Sequence, residues 1–203
     1  MADDRIWLPL RPLARRSGIA AWLAERGSLT RRLRRHCGAF SLQRLAQGRQ
    51  RLHPDQRGLL GGTRSAWGRQ VLLLADGVPV VYAHSVADPR ALRGRWRLLR
   101  ALGGRPVGDA VFARASTRRG VIRVRQLRPG HPLQCAACRC AGLDQHTRLW
   151  ARRSAFVDRG QALWVTEVFL PAMAGLEPRA CVRRSGSAAP SRRSAAPTDP
   201  GSS

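Results

Sequence analysis

Two apolar runs, each doubled back on a tight-turn sequence, decide what this chain can fold into. The first reads Trp67 to Ala75, then Asp76-Gly77, then Pro79 to Val86. The second reads Leu149 to Val157, then Asp158-Arg159-Gly160, then Ala162 to Leu170. Asp-Gly supplies the positive φ angles of a type I′ turn, whose twist matches that of the strands it joins. Both segments therefore read as β-hairpins, and hairpins build antiparallel sheets. Phe40 to Leu45 and Val121 to Leu127 read as two further strands.

Between the strands lie two helix-turn-helix units. The first helix spans Ser17 to Arg26, with Ile19, Trp22 and Leu23 on one face, and Gly27 ends it. Ser28 then caps a helix carrying Leu29, Leu33 and Cys37 at helical spacing, with Arg31, Arg32, Arg34 and Arg35 on the remaining face. The second unit opens at Asp88-Pro89, a cap with proline at the first helical position. It runs as a helix through Leu92, Trp96 and Leu99 to Gly103-Gly104, and a short helix follows from Pro106 to Phe112. Hairpins and helices in separate blocks predict the α+β class, an antiparallel β-sheet with helices packed on it.

Alternation shows where the strand side chains point. Trp67, Arg69, Val71, Leu73 and Ala75 share one face, and Leu163, Val165, Glu167 and Phe169 share another. Arg69 and Glu167 each sit in an apolar row, where a lone buried charge costs several kcal/mol. Three readings follow. The two pair with each other, or they meet a ligand. Alternatively the opposite face, with Leu72, Leu74, Trp164 and Val168, is the core and both charges are solvated.

The 203 residues include 37 basic and 12 acidic side chains, a formal charge of +25. All 37 are arginine; lysine and asparagine are absent, a bias that weakens any argument from charge to partner. The excess attracts anions whatever its origin. The arginines of the second helix lie opposite its apolar stripe, without the interleaved aromatics that stack bases, so no specific nucleic-acid partner is expected. No apolar run approaches the roughly 20 residues of a membrane span, and Met1-Ala2-Asp3-Asp4 does not begin a signal peptide. The five cysteines are an odd number in a chain large enough to fold without disulfides, which fits a reducing, cytoplasmic setting. From Arg183 on no large apolar residue remains, so a folded domain is expected over residues 1–178 and a disordered Ser/Ala/Pro/Arg-rich tail over 179–203.

In their joint order, several segments resemble the bacterial chorismate pyruvate-lyase family. They are Trp22-Leu23 with Gly27-Ser28-Leu29-Thr30-Arg31-Arg32-Leu33, Arg69-Gln70-Val71-Leu72-Leu73 with Asp76-Gly77-Val78-Pro79, and Leu102-Gly103-Gly104-Arg105-Pro106-Val107-Gly108 with Phe112. Arg152-Arg153-Ser154 and Thr166-Glu167-Val168-Phe169-Leu170-Pro171 complete the set, which spans about residues 21–171. The resemblance implies a sheet whose internal ligand pocket is closed by two helix-turn-helix flaps. It implies a lyase that converts chorismate to 4-hydroxybenzoate and pyruvate, the first committed step of ubiquinone synthesis, without a cofactor. Arg69 would hold the ring carboxylate, Glu167 would meet the para oxygen as an acid-base or orienting group, and Leu29 and Val107 would contact the ligand through their backbone. A monomer is expected.

The chain departs from the family in two places. His84 stands where the family often has arginine. The segment between Arg128 and Thr147 is longer than expected and carries His131, Cys135, Cys138, Cys140 and His146. Thiolate and imidazole are zinc ligands, but one close cluster lacks the second, distant pair of a structural site, so the segment reads as a surface loop and no metal is expected. The alternative function is a non-catalytic sensor of aromatic carboxylates, since this fold also serves as the effector domain of transcription regulators and fold alone does not fix function.

Overall fold

The computed structural model describes residues 7–10 and 19–176. The start of the first helix at Ser17 and the tail over 179–203 lie outside them. Eight strands form one antiparallel sheet: β1 (Leu8–Pro9), β2 (Phe40–Arg51), β3 (Ser65–Ala75), β4 (Val78–Ala87), β5 (Arg118–Arg119), β6 (Arg123–Leu127), β7 (Leu149–Asp158) and β8 (Gln161–Phe169). Their order is β1-β6-β7-β8-β4-β3-β2, with β5 paired to β7. Among the described residues this is the mixed helix and antiparallel-sheet architecture expected. β2 runs six residues beyond the expected end at Leu45, because a bulge between Arg44 and Ala46 lets it follow β3 to its start. β6 is shorter than expected: Val121 is exposed and pairing begins at Arg123.

Both hairpins form. Asp76 and Gly77 take φ of 51° and 80°, the two positive angles a type I′ turn requires. In the second hairpin the positive pair is Arg159 and Gly160, at 47° and 78°. Asp158 is therefore a strand residue opposite Gln161 rather than part of the turn. Its fully buried carboxylate lies 3.3 Å from Arg114 and 3.6 Å from Arg95.

Five helices cover the sheet. On one face lie α1 (Ala20–Leu23), α2 (Leu29–His36) and α4 (Val107–Phe112). Ser28 Oγ accepts the Arg31 amide and starts α2 as the sequence indicates. Trp22, Leu23, Leu29 and Leu33 bury against Val71, Leu73, Val81 and Phe169. The segment from Asp88 to Gly103 is not the helix expected. It is a series of turns followed by a 3₁₀ helix over Arg97–Ala101, although Leu92, Trp96 and Leu99 bury as the pattern indicates. Tertiary anchoring overrides the periodicity here. Trp96 Nε1 donates to Gln161 O, the Arg95 amide donates to Gln161 Oε1, and a Cβ on Gly94 would lie 2.9 Å from that oxygen.

On the opposite face lie α3 (Pro54–Arg57) and α5 (Pro132–Ala141), with Leu133, Ala137 and Cys138 packed on Leu72, Tyr82 and Val168. The surface loop expected between Arg128 and Thr147 is thus replaced by α5. His131 Nδ1 accepts the Leu133 amide at its start, Pro132 fills the first position, and Gly142 ends it at φ 65°. Proline inside the start and glycine past the end mark a helix, and that signal was present in the sequence.

Candidate active site

With apolar cover on both faces, neither of the two embedded charges is solvated. Arg69 is 1% exposed on β3, and the Glu167 side chain is 13% exposed on β8. They do not pair. Glu167 Oε2 is 2.5 Å from Nε of Arg152, its direct neighbour across β7. Arg69 is held by neutral acceptors: Nη1 donates to Gln47 Oε1 at 2.7 Å, and Nη2 donates to the carbonyls of Gly103 and Arg105 at 3.0 and 2.9 Å. Its Nε is buried without a hydrogen-bond partner. Burial, and next the cation of Arg44, lower the Arg69 pKa. A buried cation with one donor unmatched and no carboxylate beside it is set up to receive an anion.

Arg69 and Glu167 line the same cavity, about 40 Å³, roofed by Thr30 of α2 and by Pro106, Val107 and Gly108 at the start of α4. Val71, Leu73, Ala83 and Val165 make its walls apolar. A second cavity of about 30 Å³ shares Thr30, Val107, Gly108, Val165 and Glu167, and adds Leu29, Arg119 and Arg152. The four residues singled out from the sequence thus line two adjoining cavities between the sheet and the helical flaps: Arg69 one, Leu29 the other, and Val107 and Glu167 both. Arg69 stands in one part of the lining, and Glu167, with Arg119 and Arg152 beside it, in another.

Sequence reasoning missed Arg119, Arg152 and Gln47. Arg119 Nε donates to Ser154 Oγ, and its Nη1 reaches the carbonyls of Glu25, Arg26 and Gly27. Burial pushes its guanidinium down to about 10, partly offset by Glu167. Arg152 Nη1 donates to the carbonyls of Trp22, Leu23 and Glu25. In a chain with 37 arginines Arg119 carried no distinguishing signal, and Arg152 stood only within the Arg152-Arg153-Ser154 segment, with no role attached.

Behind the site, alternation turns Arg153 to the other face. There it meets Asp55 Oδ2 at 2.6 Å and Thr166 Oγ1 at 2.9 Å, and stacks on Trp7. His84 lies on that face too, buried between Gln56 and Gln50, and burial lowers its pKa to about 3. The cysteines and histidines considered for zinc do not assemble. Cys138 is buried against Gln134, Cys135 and Cys140 are half-buried on α5, His131 caps that helix, and His146 is exposed. Among the described residues no three His, Cys, Asp or Glu side chains could hold a metal ion. No helix there is long and apolar enough to cross a membrane.

Comparison with known proteins bears on what this cavity handles. A family model described as chorismate lyase matches residues 1–175. A protein of Thiobacillus denitrificans named "Probable chorismate pyruvate-lyase" is 45% identical over 169 residues, spanning 82% of this chain and 89% of its own. One of an Azoarcus species with the same name is 40% identical over 192 residues, spanning 86% and 95%. Among solved structures, PhnF from Mycobacterium smegmatis shares the fold, with a TM-score of 0.53 over 74% of this chain and 66% of that one, at 16% identity.

Proposed function

The chain belongs to the chorismate lyase family, and from that premise we propose that it converts chorismate to 4-hydroxybenzoate and pyruvate in the cavity between Arg69 and Glu167. The observation that carries the reading is the pair itself: a buried arginine with an unmatched donor and a carboxylate, both lining one roofed cavity with apolar walls.

Chorismate is already a cyclic diene. Breaking the C3–O bond releases enolpyruvate, which takes up a proton and becomes pyruvate; losing the C4 proton makes the ring aromatic. The drive resides in the substrate, so the protein has to orient a dianion, exclude water and handle one proton. Arg69 receives the ring carboxylate on its free Nε. A two-pronged contact would require Gly103 or Arg105 of the second flap to release its carbonyl from Nη2. Glu167 faces the para oxygen and the C4 proton, as acid-base or orienting group. Leu29 and Val107 close the roof, and Val71, Leu73 and Val165 keep the space dry. The same reading places the enzyme in the cytoplasm, as a monomer, at the start of ubiquinone synthesis.

Mixing purified protein with chorismate alone tests this. Equimolar 4-hydroxybenzoate and pyruvate, lost in Arg69→Ala and Glu167→Ala, would support the reading. Saturable 4-hydroxybenzoate binding without turnover would point to a sensor instead.

A further inference from the structure

The last carbonyls of a helix have no partner within it and usually face water. Those of α1 and the turn after it face two guanidiniums instead, Arg152 buried and Arg119 half-buried. Trp22, Leu23 and Glu25 give their carbonyls to Nη1 of Arg152, at 3.0, 3.5 and 2.7 Å. Glu25, Arg26 and Gly27 give theirs to Nη1 of Arg119, at 3.3, 2.9 and 3.1 Å. The turn is stiffened from within, since Glu25 Oε1 accepts the Gly27 amide and Oε2 pairs with Arg32. Beside its apolar packing, the first flap is thus latched to the sheet through its backbone carbonyls. Arg119 is anchored at its other side by a hydroxyl, Ser154. Arg152 is anchored by Glu167.

We infer that Arg152 is a positioning residue that makes closure of the first flap and orientation of the Glu167 carboxylate a single event. Its guanidinium is planar, so Nε and Nη1 cannot move independently. While Nη1 holds three flap carbonyls, Nε is fixed against Glu167 Oε2, and Oε1 is the oxygen left for the substrate. When the flap lifts, the guanidinium loses those partners and becomes free to turn, and the carboxylate loses its fixed neighbour. Coupling of this kind is reciprocal: whatever frees Glu167 also loosens the flap.

The inference rests on the lyase reading for its kinetic test and is independent of it for its structural one. The structural test is hydrogen exchange in Glu167→Gln, a substitution that removes no hydrogen bond to the flap. Amides of residues 22–33 should exchange about tenfold faster than in the parent, with the rest of the sheet unchanged. Equal exchange in the two proteins would overturn the coupling.

The kinetic test uses Arg152→Lys, whose single ammonium cannot reach carboxylate and carbonyls together. We expect kcat to fall about 100-fold, KM to stay within a few-fold, and 4-hydroxybenzoate to dissociate faster. Adding Arg152→Lys to Glu167→Gln should lower the residual kcat no further, because Arg152 acts through the carboxylate. Losses that multiply would show Arg152 acting on its own and sink the inference. A parent protein that leaves chorismate untouched would count against the lyase reading, while the exchange experiment still decides the coupling.

Discussion

Ser28 and Gly108 are the point at which the two flaps touch: a Cβ on Gly108 would lie 3.2 Å from Ser28 Oγ and 3.8 Å from Thr30 Oγ1. Beside them Arg34 of α2 pairs with Asp109 of α4 at 3.1 Å. The roof is therefore a contact between two helix starts, and its closeness depends on a missing side chain.

Gly108→Ala should hold the flaps a few tenths of an ångström apart, so that 4-hydroxybenzoate dissociates several-fold faster while the melting temperature changes little. Ser28→Ala should act differently. It removes the cap of α2 and should cost about 1 kcal/mol in denaturant unfolding.

Gln47 orients Arg69 from behind, accepting from its Nη1 and donating to the Arg100 carbonyl at 3.2 Å. Gln47→Ala removes about 1 kcal/mol of hydrogen bonding and should raise KM for chorismate about fivefold. Steady-state kinetics at fixed ionic strength check this, and an unchanged KM would mean the flap carbonyls alone fix the guanidinium.

On the far face, Asp55→Ala removes the carboxylate that Arg153 Nη2 meets at 2.6 Å. We expect about 3 kcal/mol of destabilisation and a melting temperature lower by about 10 °C. Turnover per folded molecule should survive at low temperature, because Arg153 and Arg152 point to opposite sides of the sheet.

His84 makes stability depend on pH. Its imidazole is held neutral, Nδ1 accepting from Gln56 and Nε2 donating to Gln50, and burial, then His53 and Arg153, lower its pKa to about 3 against an ordinary 6.5. Between those values the unfolded chain binds a proton that the folded chain refuses. The stabilisation is thus complete above pH 6.5 and falls by about 1.4 kcal/mol per unit as pH drops toward 3. His53, also lowered chiefly by burial, adds with the same sign. Urea unfolding from pH 7 to 5 should show this slope, and His84→Gln should flatten it.

The hairpins and the two site charges were legible in the sequence because each rests on a local rule. Asp76-Gly77 fixes its turn through φ, and period-two alternation shows Arg69 and Glu167 among apolar neighbours. What escaped was set by contacts distant in sequence. The Gln161 side chain and carbonyl, more than 60 positions away, draw the segment around Arg95 and Trp96 out of helix. Arg152 gains its meaning from α1 and the turn after it, whose carbonyls lie 127 to 130 positions back. α5 was legible in principle: His131-Pro132 and Gly142 bracket it, although weighing the segment by its cysteines and histidines alone reads it as a surface loop.

Arg152 and Arg153 are consecutive on a strand, and each finds its carboxylate on a different side of the sheet. A slip of β7 by one residue would exchange them, offering Arg153 to the flap and Arg152 to Asp55, with every apolar neighbour turned to the wrong side as well. Two charges on adjacent residues thus act as a key cut on both edges. The strand enters the sheet in one alignment only, so the residue that serves the reaction also guards the fold against its nearest misassembly.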